Sequence, residues 1–275
     1  MMRPRRGWTS GSMAVKVAAL LLAALIVLAA AAPLIAPYSA EALDLSNRRA
    51  APSSNHWFGT DELGRDLCTR VLFGARVSLA VGLLSALVAA AVGVGIGAAS
   101  GYAGGVVDSL LMRMTDAMLA MPRLPFLMIA SAVLQPSVPA LIVLVGLAGW
   151  METARLVRAE FLGLREREFV SAARAAGANA RRVIWRHLLP GATASIAVSL
   201  TLAIARGMLL ESALSFFGVG VQPPTPSWGN MLYQAQTTMT SEPWLALFPG
   251  LFIFLTALGI NVVGDALSGS EGAVR

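Results

Sequence analysis

Arg206, Glu211 and Asn261 stand inside stretches of sequence that are otherwise almost wholly apolar. A charge at the centre of a bilayer costs at least about 2.5–3.5 kcal/mol, so ionisable groups in such stretches indicate a pathway or an interhelical contact. Arg206 and Glu211 are five residues apart, which is too far around a helix for a good mutual ion pair. We therefore expect each to bond to a neighbouring helix or a partner subunit. Glu211 is expected to help gate or pack a pathway.

A second group of charged side chains lies between residues 56 and 66, among glycines that favour turns. Its members are Gly59, Thr60, Asp61, Gly64, Arg65 and Asp66. With His56 and Glu62 the acids could hold a metal ion, but their spacing fits no known calcium loop. A structural network of turns is the favoured interpretation, suited to ordering this segment or to contacting a partner. We expect no metal site.

Catalytic constellations are difficult to assemble from this sequence. Its two histidines, His56 and His187, form no Ser-His-Asp or His-Glu-x-x-His arrangement. The sequence contains no G-x-x-x-x-G-K-[ST] phosphate loop, so we expect no ATP hydrolysis by that route. A match to G-x-G-x-x-A at 93–98 lies within an apolar stretch and lacks the preceding strand that nucleotide binding needs. We therefore expect neither a catalytic site nor a bound cofactor.

The elements that must position these residues are predicted to be membrane-spanning helices. Hydrophobic residues make up 56% of the chain and charged residues 13%, against about 25% charged in soluble domains. This composition excludes a soluble enzyme, a nucleic-acid-binding module and a disordered chain. Six stretches have the length that a bilayer requires. They are 17–36, 77–99, 108–134 with a kink at Pro122, 139–157, the stretch from Pro190 to about 217, and 245–263.

Two finer features of these stretches affect the interpretation. The apolar run at 17–36 is longer than the hydrophobic region of a signal peptide, so an uncleaved first span is favoured over cleavage. Gly93, Gly97 and Gly101 recur every four residues in the second span, which predicts a close approach of another helix.

The distribution of charge predicts the orientation of the spans. Residues 1–16 carry four basic and no acidic side chains, and segment 151–190 carries eight arginines against four glutamates. Segment 37–76 is balanced, with five basic and five acidic residues, and 218–243 contains only one acid. Because basic loops stay in the cytoplasm, we expect 151–190 and both termini inside. Segment 37–76 is then a folded, self-neutralising outer plug.

Segment 151–190 is hydrophilic and largely helix-forming. Residues 169–176 form one short helix, Gly177 breaks it, and a second amphipathic helix is predicted to end at Pro190. Such a hairpin can dock in a groove of a cytoplasmic partner. An interfacial hairpin on anionic lipid has the same composition and remains the alternative.

Within this segment, the run SAARAAG followed nine residues later by HLLP resembles the EAA loop of ATP-binding cassette (ABC) importer permeases. The loop has the pattern E-A-A-x3-G-x9-I-x-L-P. The matching positions are Ala172, Ala173, Gly177, Leu189 and Pro190. Ser171 stands in place of the glutamate. His187 replaces the isoleucine, as is common in the peptide-transporter branch.

Four further stretches, at 56–79, 101–122, 209–232 and 243–267, are similar to the second permease of dipeptide, oligopeptide or nickel importers. The resemblance therefore runs in order from about residue 56 to the end of the chain. The fold it implies is an all-α polytopic membrane protein of the ABC type I importer class. That fold has six transmembrane helices and a cytoplasmic EAA-type coupling hairpin.

The same resemblance implies a division of the chain. Residues 1–36 are the cytoplasmic N-terminus and first span, 37–76 the outer segment, and 77–267 the permease core. The coupling loop lies at about 160–190 in this core, and 268–275 form a cytoplasmic tail.

The resemblance also implies partners and a location. The chain pairs with a homologous second permease, two ATP-binding subunits that hold ATP and Mg²⁺, and an extracytoplasmic binding protein, in the bacterial inner membrane. The expected substrate is a dipeptide or oligopeptide, with nickel or glutathione as alternatives. An ion-gradient-driven secondary transporter is the rival class. The proline-rich run at 222–229 with Trp228 suits either a fixed outer lid or an interfacial anchor.

Overall fold

The computed structural model describes residues 12–134 and 137–272, and over these ranges it consists of helices and connecting turns. The helices are α1 Met13–Ile35, α2 Leu67–Ala103, α3 Gly105–Ala120, α4 Arg123–Leu134, α5 Val138–Leu147, α6 Trp150–Arg165, α7 Glu168–Ala175, α8 Ala180–Val183, α9 Leu189–Gly191, α10 Thr193–Phe216, α11 Trp228–Ala235 and α12 Trp244–Gly272. A 3₁₀ turn covers Leu45–Asn47, and a π-helical turn, Ile184–Leu188, joins α8 to α9. The N-terminal basic residues at 3, 5 and 6 and the end of the predicted tail, 273–275, lie outside the described residues.

Four helices, α1, α2, α10 and most of α12, are long and apolar enough to cross a membrane. The pairs α3–α4 and α5–α6 each have the composition of one more span but are bent by 86° and 41°. The chain is therefore an all-α, multi-pass membrane protein with six spans when each bent pair counts as one. The predicted kink at Pro122 is confirmed, and the chain there turns almost at a right angle. The break between α5 and α6 was not predicted.

Helix α2 is the central element of the bundle. Its 37 residues extend roughly 55 Å, longer than the bilayer core of about 30 Å. It begins at Leu67, inside the segment predicted as outer, because the Asp66 carboxylate accepts a 2.8 Å hydrogen bond from the Thr69 N–H and caps it. The polar stretch before Val77 is thus part of the helix.

The glycine stripe of α2 packs against α6. A Cβ atom on Gly93 or Gly97 would lie 2.6 or 2.5 Å from a carbonyl oxygen of α6, and one on Gly101 would lie 2.6 Å from the Phe161 Cβ. The predicted close approach of two helices is confirmed. Gly95, between them in sequence, has no atom within 4 Å of the equivalent position.

Candidate functional site

The hairpin in segment 151–190 turns at Gly177, as predicted. Gly177 has φ +81°, and its N–H donates to the Arg174 carbonyl at 2.9 Å. The next N–H, of Ala178, donates to the Ala173 carbonyl at 3.0 Å, which completes the paired bonds of a Schellman motif. A Cβ on Gly177 would meet nothing within 4 Å. The backbone conformation, rather than lack of space, requires glycine here.

The second arm of the hairpin differs from the prediction. The expectation that its helix ends at Pro190 was wrong, since helical turns continue through Pro190 to Gly191 and α10 begins at Thr193. The reason is the π-helical turn, in which the Leu189 N–H bonds to the Ile184 carbonyl. Pro190 has no N–H to donate and its ring would clash in a regular helix interior. The wider turn lets the helix pass this residue.

One side of the hairpin is buried against α6 and the C-terminal half of α2. Its buried core is formed by Val157, Phe161, Val170, Val183 and Leu188. The residues at the positions of the EAA pattern lie mostly on the other side: Ser171, Ala172, Gly177 and Pro190 are exposed, and Ala173, His187 and Leu189 are partly buried. Phe169 is 46% exposed on the same surface, with its ring centroid 6.3 Å from that of His187.

Two arginines connect the hairpin region to the C-terminal end of α2. Arg165 donates to the carbonyls of Gly101 and Tyr102 at 3.5 and 3.4 Å. The Arg174 guanidinium lies 5.4 Å from the centre of the Tyr102 ring, within range of a cation–π interaction. The hairpin region is therefore attached to the end of α2 by both a hydrogen-bonded and an aromatic contact.

The outer segment is held together by Asp61, which is buried. Its carboxylate accepts hydrogen bonds from the backbone N–H of Leu63 at 2.9 Å and of Arg65 at 3.0 Å. The Arg65 Nε donates to it at 2.7 Å, and the buried Arg70 Nε lies 3.5 Å away. Asp61 thus fixes a turn and lies close to two arginine side chains, of which it hydrogen-bonds to Arg65.

Asp66 and Thr60 complete this network. The Asp66 Oδ1 lies 2.9 Å from His56 Nδ1, and Thr60 forms the one isolated backbone bridge to Asp66 in the described ranges. The Thr60 hydroxyl donates to the Asn47 carbonyl and accepts from the Ala50 N–H. No group of three or more His, Cys, Asp or Glu side chains in the described part of the chain could hold a metal ion. These contacts are those of a structural network of turns.

Two glycines and the short helical turn at Leu45–Asn47 allow the chain to fold closely around this network. Gly59 and Gly64 have φ of +81° and +74°, and a Cβ on Gly64 would lie 1.7 Å from the Asp44 carbonyl oxygen. Hydrogen bonds from the side chains of Ser46 and Asn47 lower the pKa of the Asp44 carboxyl. Arg49 pairs at 3.6 Å with Glu242, which connects the outer segment to the start of α12.

Glu211 is fully buried where α2, α10 and α11 meet. Its carboxylate accepts hydrogen bonds from the hydroxyls of Ser78 at 3.0 Å and Ser215 at 2.8 Å. The Ser215 hydroxyl in turn accepts from the Val221 N–H at 2.9 Å. As expected, Glu211 bonds to a neighbouring helix. This arrangement satisfies the buried carboxylate and fixes the packing of three elements.

Both predictions made for Trp228 were wrong. It is neither an exposed lid tip nor an interfacial anchor, because its side chain is fully buried. The indole N–H donates to the Val71 carbonyl at 3.0 Å. The preceding Ser227 caps α11, in which Trp228 is the first residue. Burial of a large aromatic ring with a satisfied N–H makes this residue part of the core.

Arg206 bonds to α6, again as expected, and the contact reveals a cluster that the sequence reading missed. Glu152 lies between two arginines: it forms an ion pair with Arg206 and accepts a 2.7 Å hydrogen bond from Arg123. We call Arg123, Glu152 and Arg206 the charged triad. Arg123 directly follows Pro122, and Glu152 lies in the first turn of α6 after the break, so charge close to a helix break was the available signal. Asn261 is exposed on α12.

Comparisons with known proteins agree with these features. Residues 91–269 match the family described as binding-protein-dependent transport system inner membrane component. Over 251 residues the chain is 45% identical to the glutathione transport system permease protein GsiD of Shigella flexneri serotype 5b (strain 8401), covering 91% of this chain and 83% of that protein. It is 43% identical to the protein of the same name from Escherichia coli O157:H7, with the same coverage.

Proposed function

Since the chain belongs to the family of binding-protein-dependent transport system inner membrane components, we propose that it forms half of a peptide translocation pathway. It is an ABC importer permease of the dipeptide, oligopeptide and nickel branch. In our proposal it couples to a cytoplasmic ATPase through the hairpin at 160–190. The observation that carries the coupling role is the hairpin itself, which exposes its EAA-like surface while its other side is buried against α6 and α2.

The proposed coupling mechanism depends on the contacts that attach the hairpin to the spans. The Schellman turn at Gly177 holds the exposed surface in one shape, and Arg165 and Arg174 attach its base to the end of α2. Closure of two ATPase subunits around ATP would push this surface as a rigid unit. A rigid connection converts that push into a movement of the spans, which is the kind of two-state change that alternating access requires.

The proposed assembly contains four further subunits of three kinds. We propose one homologous permease, two ATPases that bind ATP and Mg²⁺, and a binding protein on the outer side. Both termini and the hairpin would lie in the cytoplasm, and the outer segment would meet the binding protein. The excess of arginine in 151–190 supports this orientation.

Peptides are the proposed substrates, with glutathione as the first candidate. Two relatives compared above are named glutathione transport permeases, and glutathione is itself a small peptide with free carboxylates. Nickel remains the alternative within the family. The buried, fully hydrogen-bonded setting of Glu211 argues against the rival class, since an ion-driven transporter needs a carboxylate that exchanges protons or ions with the pathway.

The test is uptake by the assembled transporter. Proteoliposomes that hold the permease pair and both ATPases, with ATP inside, are given binding protein and labelled glutathione, a dipeptide or Ni²⁺ outside. We expect ATP-dependent accumulation of a peptide. Uptake of Ni²⁺ alone would move the assignment to the nickel alternative. Uptake driven by an ion gradient without the ATPases would contradict the proposal.

Coupling is tested at Gly177 with two substitutions. Gly177→Val places a β-branched residue at φ +81°, a conformation such residues avoid, whereas Gly177→Asn tolerates it. We expect Val to reduce peptide uptake per ATP hydrolysed and Asn to retain most of it. Wild-type uptake by the Val variant would show that the hairpin does not couple.

A further inference from the structure

We infer that the charged triad is a water-facing cationic site halfway across the membrane, which contacts the carboxylate of an anionic substrate during passage. This inference rests on the proposed importer function and names a substrate chemistry for it. The triad lines one cleft together with Ala203 and Gly207.

The depth of the triad follows from the helices that carry it. Helix α6 ends at Arg165 and α10 begins at Thr193, next to the hairpin on the inner side. Glu152 and Arg206 are each thirteen residues from those inner ends, which corresponds to about 20 Å along a helix. Arg123 is held at the same level by its hydrogen bond to Glu152. Helix α10 has the length and hydropathy of a membrane span, and Arg206 lies near its middle, thirteen residues after Thr193 and ten before Phe216. The triad therefore lies within the hydrocarbon thickness.

The exposure of the triad shows which surroundings it can have. The side chains of Arg123, Glu152 and Arg206 are 27%, 38% and 42% exposed on the surface of the subunit. Charged groups at this depth face a bundle interior or a water-filled cavity rather than lipid. The surface that carries the triad is thus the side of the subunit turned toward the pathway.

The charge balance of the triad gives its ligand preference. Nearer the inner end of α6, arginines pair one to one with acids of α3, Arg155 with Asp116 and Arg158 with Asp108. The triad instead has two guanidinium groups for one carboxylate. Each guanidinium carries five N–H donors in a planar arrangement that suits a second carboxylate. A passing carboxylate would bring the site to neutrality.

The broken helices add to this preference. Helix α4 begins at Arg123 and α6 begins at Trp150, two residues before Glu152. Two helix N-termini thus lie next to the triad, and a helix N-terminus carries partial positive charge. Discontinuous spans use such ends to face anionic groups of substrates.

The experiment measures the local potential with charged thiol reagents. The chain has one cysteine, Cys68, which is buried, so Cys68→Ala gives a background for a single reporter, Ala203→Cys. The reporter is placed in the assembled transporter in proteoliposomes. It is treated with an anionic, sulfonate-bearing methanethiosulfonate or a cationic, trimethylammonium-bearing one. Each rate is divided by the rate of the same reagent with 2-mercaptoethanol.

We expect the anionic reagent to be favoured and the preference to depend on the triad. Removing one positive charge about 6 Å away in water should slow the anionic reagent and speed up the cationic reagent about threefold each. Arg206→Gln or Arg123→Gln should therefore lower the ratio of the anionic to the cationic rate roughly tenfold. Arg158→Gln is the matched control, because it also removes one arginine charge but from a position almost two turns further along α6 than Glu152. Ions in the solution screen a charge at this greater distance, so the ratio should change less than about twofold.

Two results would overturn the inference: a reporter that neither reagent modifies, or a ratio that does not respond to Arg206→Gln and Arg123→Gln. A transport measurement supplies the second readout. Arg206→Gln should lower maximal ATP-driven glutathione uptake by at least about fivefold, with Arg206→Lys intermediate and affinity of the binding protein unchanged. If the parent complex transports peptide while the ratio does not respond, only the inference fails. If the parent complex transports no peptide, the proposed function fails first.

Discussion

The Ser78 hydroxyl donates a 3.0 Å hydrogen bond to the buried Glu211 carboxylate and so joins α2 to α10. The same hydroxyl accepts a 3.2 Å hydrogen bond from the backbone N–H of Trp228, at the start of α11. One serine therefore connects three helices through a single oxygen atom. Because Ser215 also donates to Glu211, the carboxylate satisfies several polar groups that have no access to water.

Replacing Glu211 should destabilise the protein according to how many hydrogen bonds are lost. Glu211→Ala leaves the hydroxyls of Ser78 and Ser215 without their acceptor, and each unsatisfied buried group costs about 1–3 kcal/mol. Glu211→Gln keeps an acceptor oxygen and should be much milder. Thermal unfolding in detergent, followed by size-exclusion chromatography, measures both. Equal loss in the two variants would show that the charge, rather than the hydrogen bonds, is essential.

The glycine stripe gives a prediction with a control from the same helix. Gly97→Ala forces a methyl group to within 2.5 Å of the Ala154 carbonyl oxygen, so α2 and α6 must separate, at a cost of about 1–3 kcal/mol. Gly95→Ala meets open space and should be neutral or stabilising by up to about 1 kcal/mol from helix propensity. The melting temperatures of the two variants should thus move apart. A similar fall in both would contradict the packing described for α2 and α6.

A comparison of Gly64, in the outer segment, with Gly105, at the start of α3, separates the effect of backbone strain from that of steric overlap, because both have positive φ. Gly105→Ala, with φ +55° and no neighbour within 4 Å, should cost only the strain of a left-handed alanine, about 1–2 kcal/mol. Gly64→Ala adds overlap with the Asp44 carbonyl and should disrupt the network around Asp61. Limited trypsin cleavage at Arg48 and Arg49 reports this opening. Cleavage should increase for the Gly64 variant alone.

Sequence patterns predicted the helices well because hydrophobic length and caps act locally. The six apolar stretches, the break at Pro122 and the turn at Gly177 all follow from residue types. The 86° angle at Pro122 and the path of the chain through Pro190 do not, because they depend on which neighbouring helices the chain meets. Trp228 shows the same limit, since an aromatic residue beside prolines suits a surface turn until its partner carbonyl is known.

The charged triad could not be assembled from the sequence for a related reason. Arg206 was recognised as an unusual residue in a span, but its partner Glu152 is 54 residues away on a helix whose start was not predicted. Pairing at this distance depends on how α6 and α10 are placed around α2. The nature of the residue indicated that a partner exists, and only the packing identified it.

Substitutions at two adjacent residues of the hairpin should affect ATPase binding and protein stability separately. Phe169 is 46% exposed whereas its neighbour Val170 is fully buried. If the exposed surface docks on an ATPase, Phe169→Ala should weaken that contact at least about fivefold, the equivalent of 1 kcal/mol, with an unchanged melting temperature. Val170→Ala removes core volume and should cost about 2 kcal/mol of stability.

Pull-down of the ATPase by the detergent-solubilised permease, with thermal unfolding of the same samples, measures both effects. The Val170 variant serves as the control for a general loss of structure, because it lowers stability without altering the exposed ring. A Phe169 variant that unfolds early would place this ring in the core of the hairpin. A Phe169 variant that retains full ATPase binding and stability would show that docking uses another part of the surface, such as the side that carries Ser171 and Ala172.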